Sequence, residues 1–172
     1  MLDTAPHPVP VFGRAMTATP PRFDNPDQAL IHRFLERPVR DPLPFDANPM
    51  ARALGATLLA VDREAGRVEL VFEPDALFIQ GAGVLQGGAV TAMLDFAMAF
   101  ATLAHLPPDH SCATVNLNTA FLRPAPKGRY HAIGEVERRG KALAFTHARL
   151  QREADGTVVA TATSTLTVLM PG

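Results

Sequence analysis

The sequence predicts an α+β domain in which an antiparallel β-sheet wraps around one long central helix. The 18 residues after Gly88 are small or apolar, with no proline and no glycine, which is typical of a buried helix. Two segments before this helix and four after it alternate between apolar and polar side chains, as half-buried strands do. A sheet of that length has to bury one face, and only this helix is apolar enough all round to be enclosed by it.

Composition limits the classes of function. The 172 residues are 47% hydrophobic and 19% charged, with a net charge of -1, which indicates one ordinary globular domain. A pI near 6.6 argues against nucleic-acid binding, since no basic stripe is present to contact phosphates. The single cysteine, Cys112, excludes an internal disulfide and fits the cytoplasm. No signal peptide is apparent, and Asp95 in mid-helix argues against a membrane span.

The chain is expected to divide into a proline-rich extension, residues 1–50, and a folded domain, residues 51–172. Ten of the 16 prolines fall before residue 50. Residues 1–22 show no apolar period and are expected to form an arm. One short amphipathic helix is predicted between Asp24 and Glu36, where Asn25 can serve as the N-cap.

The strand pattern begins with a hairpin and resumes after the long helix. Ala56–Asp62 and Arg67–Phe72 flank a tight turn, after a helical turn at residues 50–54. Four consecutive hairpin-linked strands are predicted at 111–123, 129–138, 142–153 and 157–170. In the first of them, one face is predicted to hold Ala113, Val115, Leu117 and Phe121, and the other Thr114, Asn116 and Asn118.

The glycine-rich turn and the charge that follows it predict a catalytic or binding site. Gly87 and Gly88 lack Cβ atoms, so a ligand can approach unpaired backbone N–H groups at the positive end of the helix. Asp95 lies about two turns further on and is the one charge in an apolar helix, which requires a partner or a function. The alternatives are a carboxylate that faces solvent or caps a loop, and a tight turn that binds nothing.

These residues resemble a known family. The segment 80–88, QGAGVLQGG, followed by Asp95, resembles the active-site segment of hotdog-fold acyl-CoA thioesterases of the phenylacetate-pathway (PaaI-like) type. The resemblance extends from about residue 55 to 169 and includes the segments 121–125 (FLRPA) and 140–145 (GKALAF). The first 50 residues have no counterpart.

The resemblance implies a homodimer whose two sheets join edge to edge, with two active sites between the subunits. In such a site the Gly87 N–H binds the thioester carbonyl oxygen, and Asp95 of the other subunit acts as general base or nucleophile. Gln80 and Thr114 match the family's further polar positions, and could hold water or substrate. The substrate implied is an acyl-CoA, and the pairing of two dimers into a tetramer is left open.

One position departs from the family pattern, because Gln86 stands where a histidine is usual. Glutamine does not titrate but can donate and accept hydrogen bonds, so a role in proton transfer is excluded while a role in orientation is retained. This change favours one competing hypothesis, a non-catalytic acyl-CoA binding or sensing protein. A dehydratase or hydratase would need a histidine beside the acid, and His105 is at the far end of the helix.

The other candidate groups carry weaker signals. No histidine has a metal-ligand spacing, and we expect neither a metal nor a cofactor. Thr114 could be an ordinary strand residue. The basic cluster of Arg138, Arg139 and Lys141 could meet the phosphates of coenzyme A, or could be a solvated hairpin tip.

Overall fold

A computed structural model of the chain describes residues 25–170. The predicted arm, residues 1–22, therefore lies outside the described residues. The helices are α1 (Pro26–Glu36), α2 (Pro49–Ala53) and α3 (Gly87–Leu103), with a 3₁₀ turn at Ala76–Phe78. The strands are β1 (Leu43–Pro44), β2 (Thr57–Asp62), β3 (Arg67–Phe72), β4 (Ser111–Phe121), β5 (Tyr130–Arg139), β6 (Leu143–Arg152) and β7 (Val158–Leu169).

The seven strands form one antiparallel sheet in the order β1-β2-β3-β5-β6-β7-β4. The prediction of four consecutive hairpins is wrong at its first link, because β4 pairs with β7 and β5 pairs with β3. Pairing β5 with β3 joins the first hairpin to the later strands, so the sheet that covers the helix has no unpaired edge in its middle. β1, for which no strand was predicted, adds two residues at one margin of the sheet.

Helix α3 lies against the sheet, and the predicted central helix is confirmed. Its buried residues include Met93, Leu94 and Ala97, each fully inaccessible. The closest approach is at Gly134 of β5, where an added Cβ would lie 2.2 Å from the Ala97 carbonyl oxygen. A glycine is therefore required where the helix backbone meets the strand.

The alternation predicted along β4 is wrong, because the strand contains a bulge at Val115. Thr114 pairs with Leu166 and Asn116 pairs with Thr165, so Val115 has no partner of its own in the register. An extra residue shifts the side-chain alternation by one position. Thr114 therefore faces the helix, like the core-packed Leu117 after the bulge. The sequence had placed Thr114 on the opposite face from Leu117.

The region before residue 51 contributes to the same core. The Asn25 side chain caps α1 as predicted and accepts hydrogen bonds from the N–H groups of Asp27 and Gln28. Ile31 and Phe34 of α1 are completely buried in the core cluster. The boundary near residue 50 stays a prediction. No helix between residues 25 and 170 has the length and hydropathy needed to cross a bilayer.

Candidate active site

Asp95 and Thr114 are brought together between α3 and the edge strand β4. The Thr114 hydroxyl donates a hydrogen bond of 2.9 Å to Asp95 Oδ1. Asp95 is half-buried, and Thr114 is exposed because no strand lies beyond β4 among residues 25–170. The carboxylate therefore neither points freely to solvent nor caps a loop. It is oriented by one hydroxyl and remains accessible from the open edge of the sheet.

The thiol of Cys112 lies close enough to Asp95 for its pKa to respond to the charge of the carboxylate. Its thiol lies 3.8 Å from the Ala99 carbonyl oxygen, one turn of α3 beyond Asp95. Burial and, second to it, the negative charge of Asp95 raise the pKa of Cys112 to about 12. A thiol with that pKa stays protonated near neutral pH, so Cys112 is not a nucleophile of the site.

The N-terminus of α3 leaves one backbone donor available. Gln86 is the N-cap, and its Oε1 accepts a 3.1 Å hydrogen bond from the Gly88 N–H. Its backbone oxygen accepts from the N–H groups of Ala89 and Val90. Among residues 25–170, no acceptor meets the N–H of Gly87, the first residue of the helix. The cap therefore satisfies the donor beside Gly87 and exposes Gly87 itself to a ligand.

An aromatic ring, which sequence reasoning had assigned to an alternating face of β4, lies against this turn. The position of a Cβ on Gly87 would be 3.3 Å from Phe121 Cζ. Phe121 remains 57% exposed at the far end of β4. The two residues line a cavity of about 380 Å³ with Leu122 and Val90. The only sequence signal for this role was the position of Phe121, directly before the turn at residues 122–126.

Gln80 is not brought to Asp95 within one chain. Its Oε1 accepts a hydrogen bond from the Ala82 N–H at 3.1 Å, inside the glycine-rich loop. The loop is anchored at its end, because Leu85 N–H donates to the Ala125 carbonyl at 2.7 Å and Gln86 N–H donates to the Phe78 carbonyl at 2.8 Å. Gln80 thus shapes the loop that leads to the helix.

The distance along the helix separates the two candidate catalytic groups. Gly87 and Asp95 are eight residues apart, which is about 12 Å along an α-helix axis. The two groups of one chain therefore cannot contact the same carbonyl. Within residues 25–170, no group of three or more histidine, cysteine or acidic side chains is arranged to hold a metal ion.

Comparisons with known proteins find a family and similar folds. Residues 82–159 match the model of the thioesterase superfamily. A phenylacetic acid degradation-related protein from Ralstonia eutropha JMP134 is 37% identical, over 80% of this chain and 98% of that one, with a TM-score of 0.69. A thioesterase family protein from Silicibacter pomeroyi is 27% identical, over 85% of this chain and 99% of that one, with a TM-score of 0.68.

The PaaI protein of E. coli, from the phenylacetic acid degradation operon, shares the fold at 19% identity. That likeness covers 86% of this chain and 95% of the E. coli chain, with a TM-score of 0.67. A comparison with curated proteins finds no match.

Proposed function

The chain belongs to the thioesterase superfamily and has the hotdog fold, and from that premise we propose that it hydrolyses acyl-CoA thioesters to a free acid and coenzyme A. The observation that carries the proposal is that, within residues 25–170, the carboxylate of Asp95 and the free N–H of Gly87 lie beside the two ends of one strand, the unpaired edge strand β4. Thr114, near the start of β4, donates a hydrogen bond to Asp95, and Phe121, at its end, lies beside Gly87, where an added Cβ would be 3.3 Å from its ring.

This placement supports a homodimer. β4 has no neighbour on its outer side among residues 25–170, and Val115 on it is 61% exposed. If two copies of β4 pair in antiparallel fashion about a two-fold axis near residues 117 and 118, the Phe121 end of one copy lies opposite Thr114 of the other. The partner subunit's Gly87 then approaches Asp95, which removes the 12 Å separation found within one chain.

The proposed reaction places the thioester carbonyl between these groups. Asp95 accepts a proton from water while the water oxygen attacks the carbonyl carbon, and the carbonyl oxygen becomes negatively charged. The partner subunit's Gly87 N–H donates to that oxygen, an interaction typically worth about 3 kcal/mol in the transition state. The C–S bond then breaks with release of the carboxylic acid, and the thiolate takes the proton that Asp95 had accepted and leaves as coenzyme A. Direct attack by Asp95, through a mixed anhydride, is the second route that the same atoms permit.

The neighbouring polar residues have supporting roles in this proposal. Thr114 donates to Oδ1 of Asp95 and so directs the other carboxylate oxygen to the water. Gln86 presents its Oε1 to the Gly88 N–H, which leaves its amide nitrogen to donate towards the substrate. Glutamine can therefore replace the titratable histidine of the family, because neither task transfers a proton. Gln80 and Gly88 contribute by holding the glycine turn open.

The test is release of free thiol from a panel of aliphatic and aromatic acyl-CoAs, detected with a thiol reagent. We expect Asp95→Asn to lower kcat on the order of a thousandfold, since a positioned base and its charge are both lost. Asp46→Asn serves as the matched control, because Asp46 is exposed and distant from α3 in the sequence.

Two results would contradict the proposal. One is thiol release that is equal in the wild type and in Asp95→Asn. The other is an acyl-CoA that is bound by the wild type and recovered unhydrolysed after long incubation, which would favour the non-catalytic binding protein.

A further inference from the structure

A basic cleft lies at the opposite end of α3 from the glycine turn. Its volume is about 470 Å³. The basic side chains that line it come from four separate parts of the chain: His32, Arg63, His105 with His110, and Arg139 with Lys141. No carboxylate lines it among residues 25–170.

The positive charge of the cleft is largely uncompensated. Arg139 and Lys141, on the turn between β5 and β6, form no ion pair and no hydrogen bond within residues 25–170. Asp109, which does not line the cleft, has its Oδ1 2.7 Å from His110 Nδ1. Burial and then the charge of Arg63 lower the pKa of His32, against smaller opposing effects of Glu36 and of a backbone hydrogen bond at Leu106.

Two carbonyl groups at the C-terminus of α3 are hydrogen-bonded to side chains and so do not oppose an anion in the cleft. The last carbonyl groups of a helix carry partial negative charge, which would repel a phosphate. Arg63 Nε donates a 2.7 Å hydrogen bond to the Ala104 carbonyl, and His105 Nδ1 lies 2.9 Å from the Ala101 carbonyl. Only the Nε of Arg63 is used in this bond, so its terminal N–H groups stay available to a ligand.

The remaining wall of the cleft is apolar. It is formed by Leu106, Pro107, Pro108, Val168 and Met170. A cleft with one cationic wall and one apolar wall suits a ligand that has both phosphate groups and a flat organic ring, because the ring gains contact area while the phosphates gain charged hydrogen bonds.

We propose that this cleft binds a phosphate-bearing anion of nucleotide type, with Arg63, Arg139 and Lys141 as the phosphate contacts. Two sources share this chemistry: the nucleotide end of a coenzyme A thioester, and a free nucleotide. The first rests on the proposed function. It agrees with distance, because α3 ends eight residues beyond Asp95, about 12 Å along the helix axis, and the cleft begins just after this end, within reach of an extended pantetheine arm.

The experiment measures binding of coenzyme A, ADP, inorganic phosphate and pantetheine by calorimetry at low salt. The variant is Arg139→Ala/Lys141→Ala, which removes two exposed and unpaired side chains and so should leave the fold intact. The control is Arg52→Ala/Arg138→Ala, which removes the same charge from exposed positions that do not line the cleft. We expect the cleft variant to bind coenzyme A and ADP about tenfold more weakly, and pantetheine as the wild type does.

Kinetics separate the two sources. If the cleft binds the nucleotide end of the substrate, the cleft variant raises KM for acyl-CoA and leaves kcat/KM for the matching acyl-pantetheine unchanged. For a free nucleotide, ADP binding weakens and the kinetics with acyl-CoA do not change. ADP binding by a protein that hydrolyses no thioester would support the cleft and overturn the proposed function. Equal affinities for coenzyme A and ADP in wild type, variant and control would overturn the cleft proposal.

Discussion

The two edges of the sheet are built in opposite ways. β1, at one edge, has two residues, and the second is Pro44, which has no N–H to offer to a further strand. β4, at the other edge, has eleven residues and a full row of backbone groups on its outer side. Short strands and prolines are common protections against unwanted pairing, whereas a long bare edge invites it.

The difference explains where the candidate site lies. The edge formed by β1 is unsuited to pairing with a further strand, and no candidate catalytic residue lies on it. The bare edge carries Thr114 with Asp95 near one end and Phe121 with Gly87 near the other. In the proposed dimer, two such edges pair and assemble a site from two halves that are too far apart in one chain.

The sharpest test of the two halves is at Gly87. Gly87→Pro removes the N–H, and the helix should tolerate it, because proline suits the first helical position and Gln86 already has the extended conformation (φ -62°, ψ 135°) required before proline. We expect activity to fall by about two to three orders of magnitude. Gly87→Ala keeps the N–H and makes the same close contact with Phe121, so it separates loss of the donor from crowding. Equal losses in the two variants would contradict the donor role.

Mixing the two kinds of defective subunit extends this test. A heterodimer of Asp95→Asn and Gly87→Pro subunits contains one site with both groups intact and one site with neither. Refolding the two variants together at equal concentration should restore about a quarter of wild-type activity, if the subunits pair at random in two-fold dimers. If each chain instead carried a complete site, the mixture would stay as inactive as its components.

The contrast between the two edges is tested by introducing a negative charge at one equally exposed valine near each edge. Val115 on β4 and Val39 before β1 are 61% and 62% exposed, respectively. Val115→Asp should dissociate the proposed dimer and lower activity by about tenfold or more, because each copy would place an unpaired carboxylate in the interface between the two β4 strands. Val39→Asp should change neither property. Sedimentation or light scattering gives the mass, and a dimer that is unaffected by Val115→Asp would exclude β4 as the interface.

The hydrogen bond to the carboxylate predicts a smaller effect. Thr114→Val keeps the shape of the side chain and removes the donor to Asp95. A hydrogen bond to a charged group contributes about 1.5 kcal/mol, and its loss therefore corresponds to roughly a tenfold lower kcat. Thr114→Ser restores a hydroxyl and should recover most of the activity, which a purely steric role would not predict. KM should change little in either variant.

The smallest effect concerns the buried thiol beside the site. Because burial and the charge of Asp95 raise the pKa of Cys112 to about 12, its reaction with iodoacetamide near pH 8 should be slow in the folded protein. Asp95→Asn removes the charge but not the burial, so the rate should rise only several-fold, while urea should raise it much more. An unchanged rate in Asp95→Asn would place the charge of Asp95 further from Cys112 than the structure does.

Local patterns in the sequence predicted the main elements and singled out Asp95, whereas Gln80 and Thr114 became candidates only through the family resemblance. The cap at Asn25, the turn before Arg67 and the long apolar helix are each specified by neighbouring residues, and each is confirmed. Asp95 was recognised because a charge in an apolar helix demands a partner, and the partner, Thr114, was found on the strand after the helix. The role of Phe121 was missed, because its contact with Gly87 joins residues 34 positions apart.

The sequence by itself determined the local elements: an apolar helix with one acidic residue, a glycine turn at the start of that helix, and strands of approximately the observed lengths. Tertiary structure decided the arrangement. The pairing of β4 with β7, the bulge at Val115 and the open edge depend on contacts between distant segments, whose free energy is shared among many residues and leaves no local period in the chain. The carboxylate could therefore be recognised in the sequence, whereas its position beside an unpaired sheet edge was set only by the folded sheet.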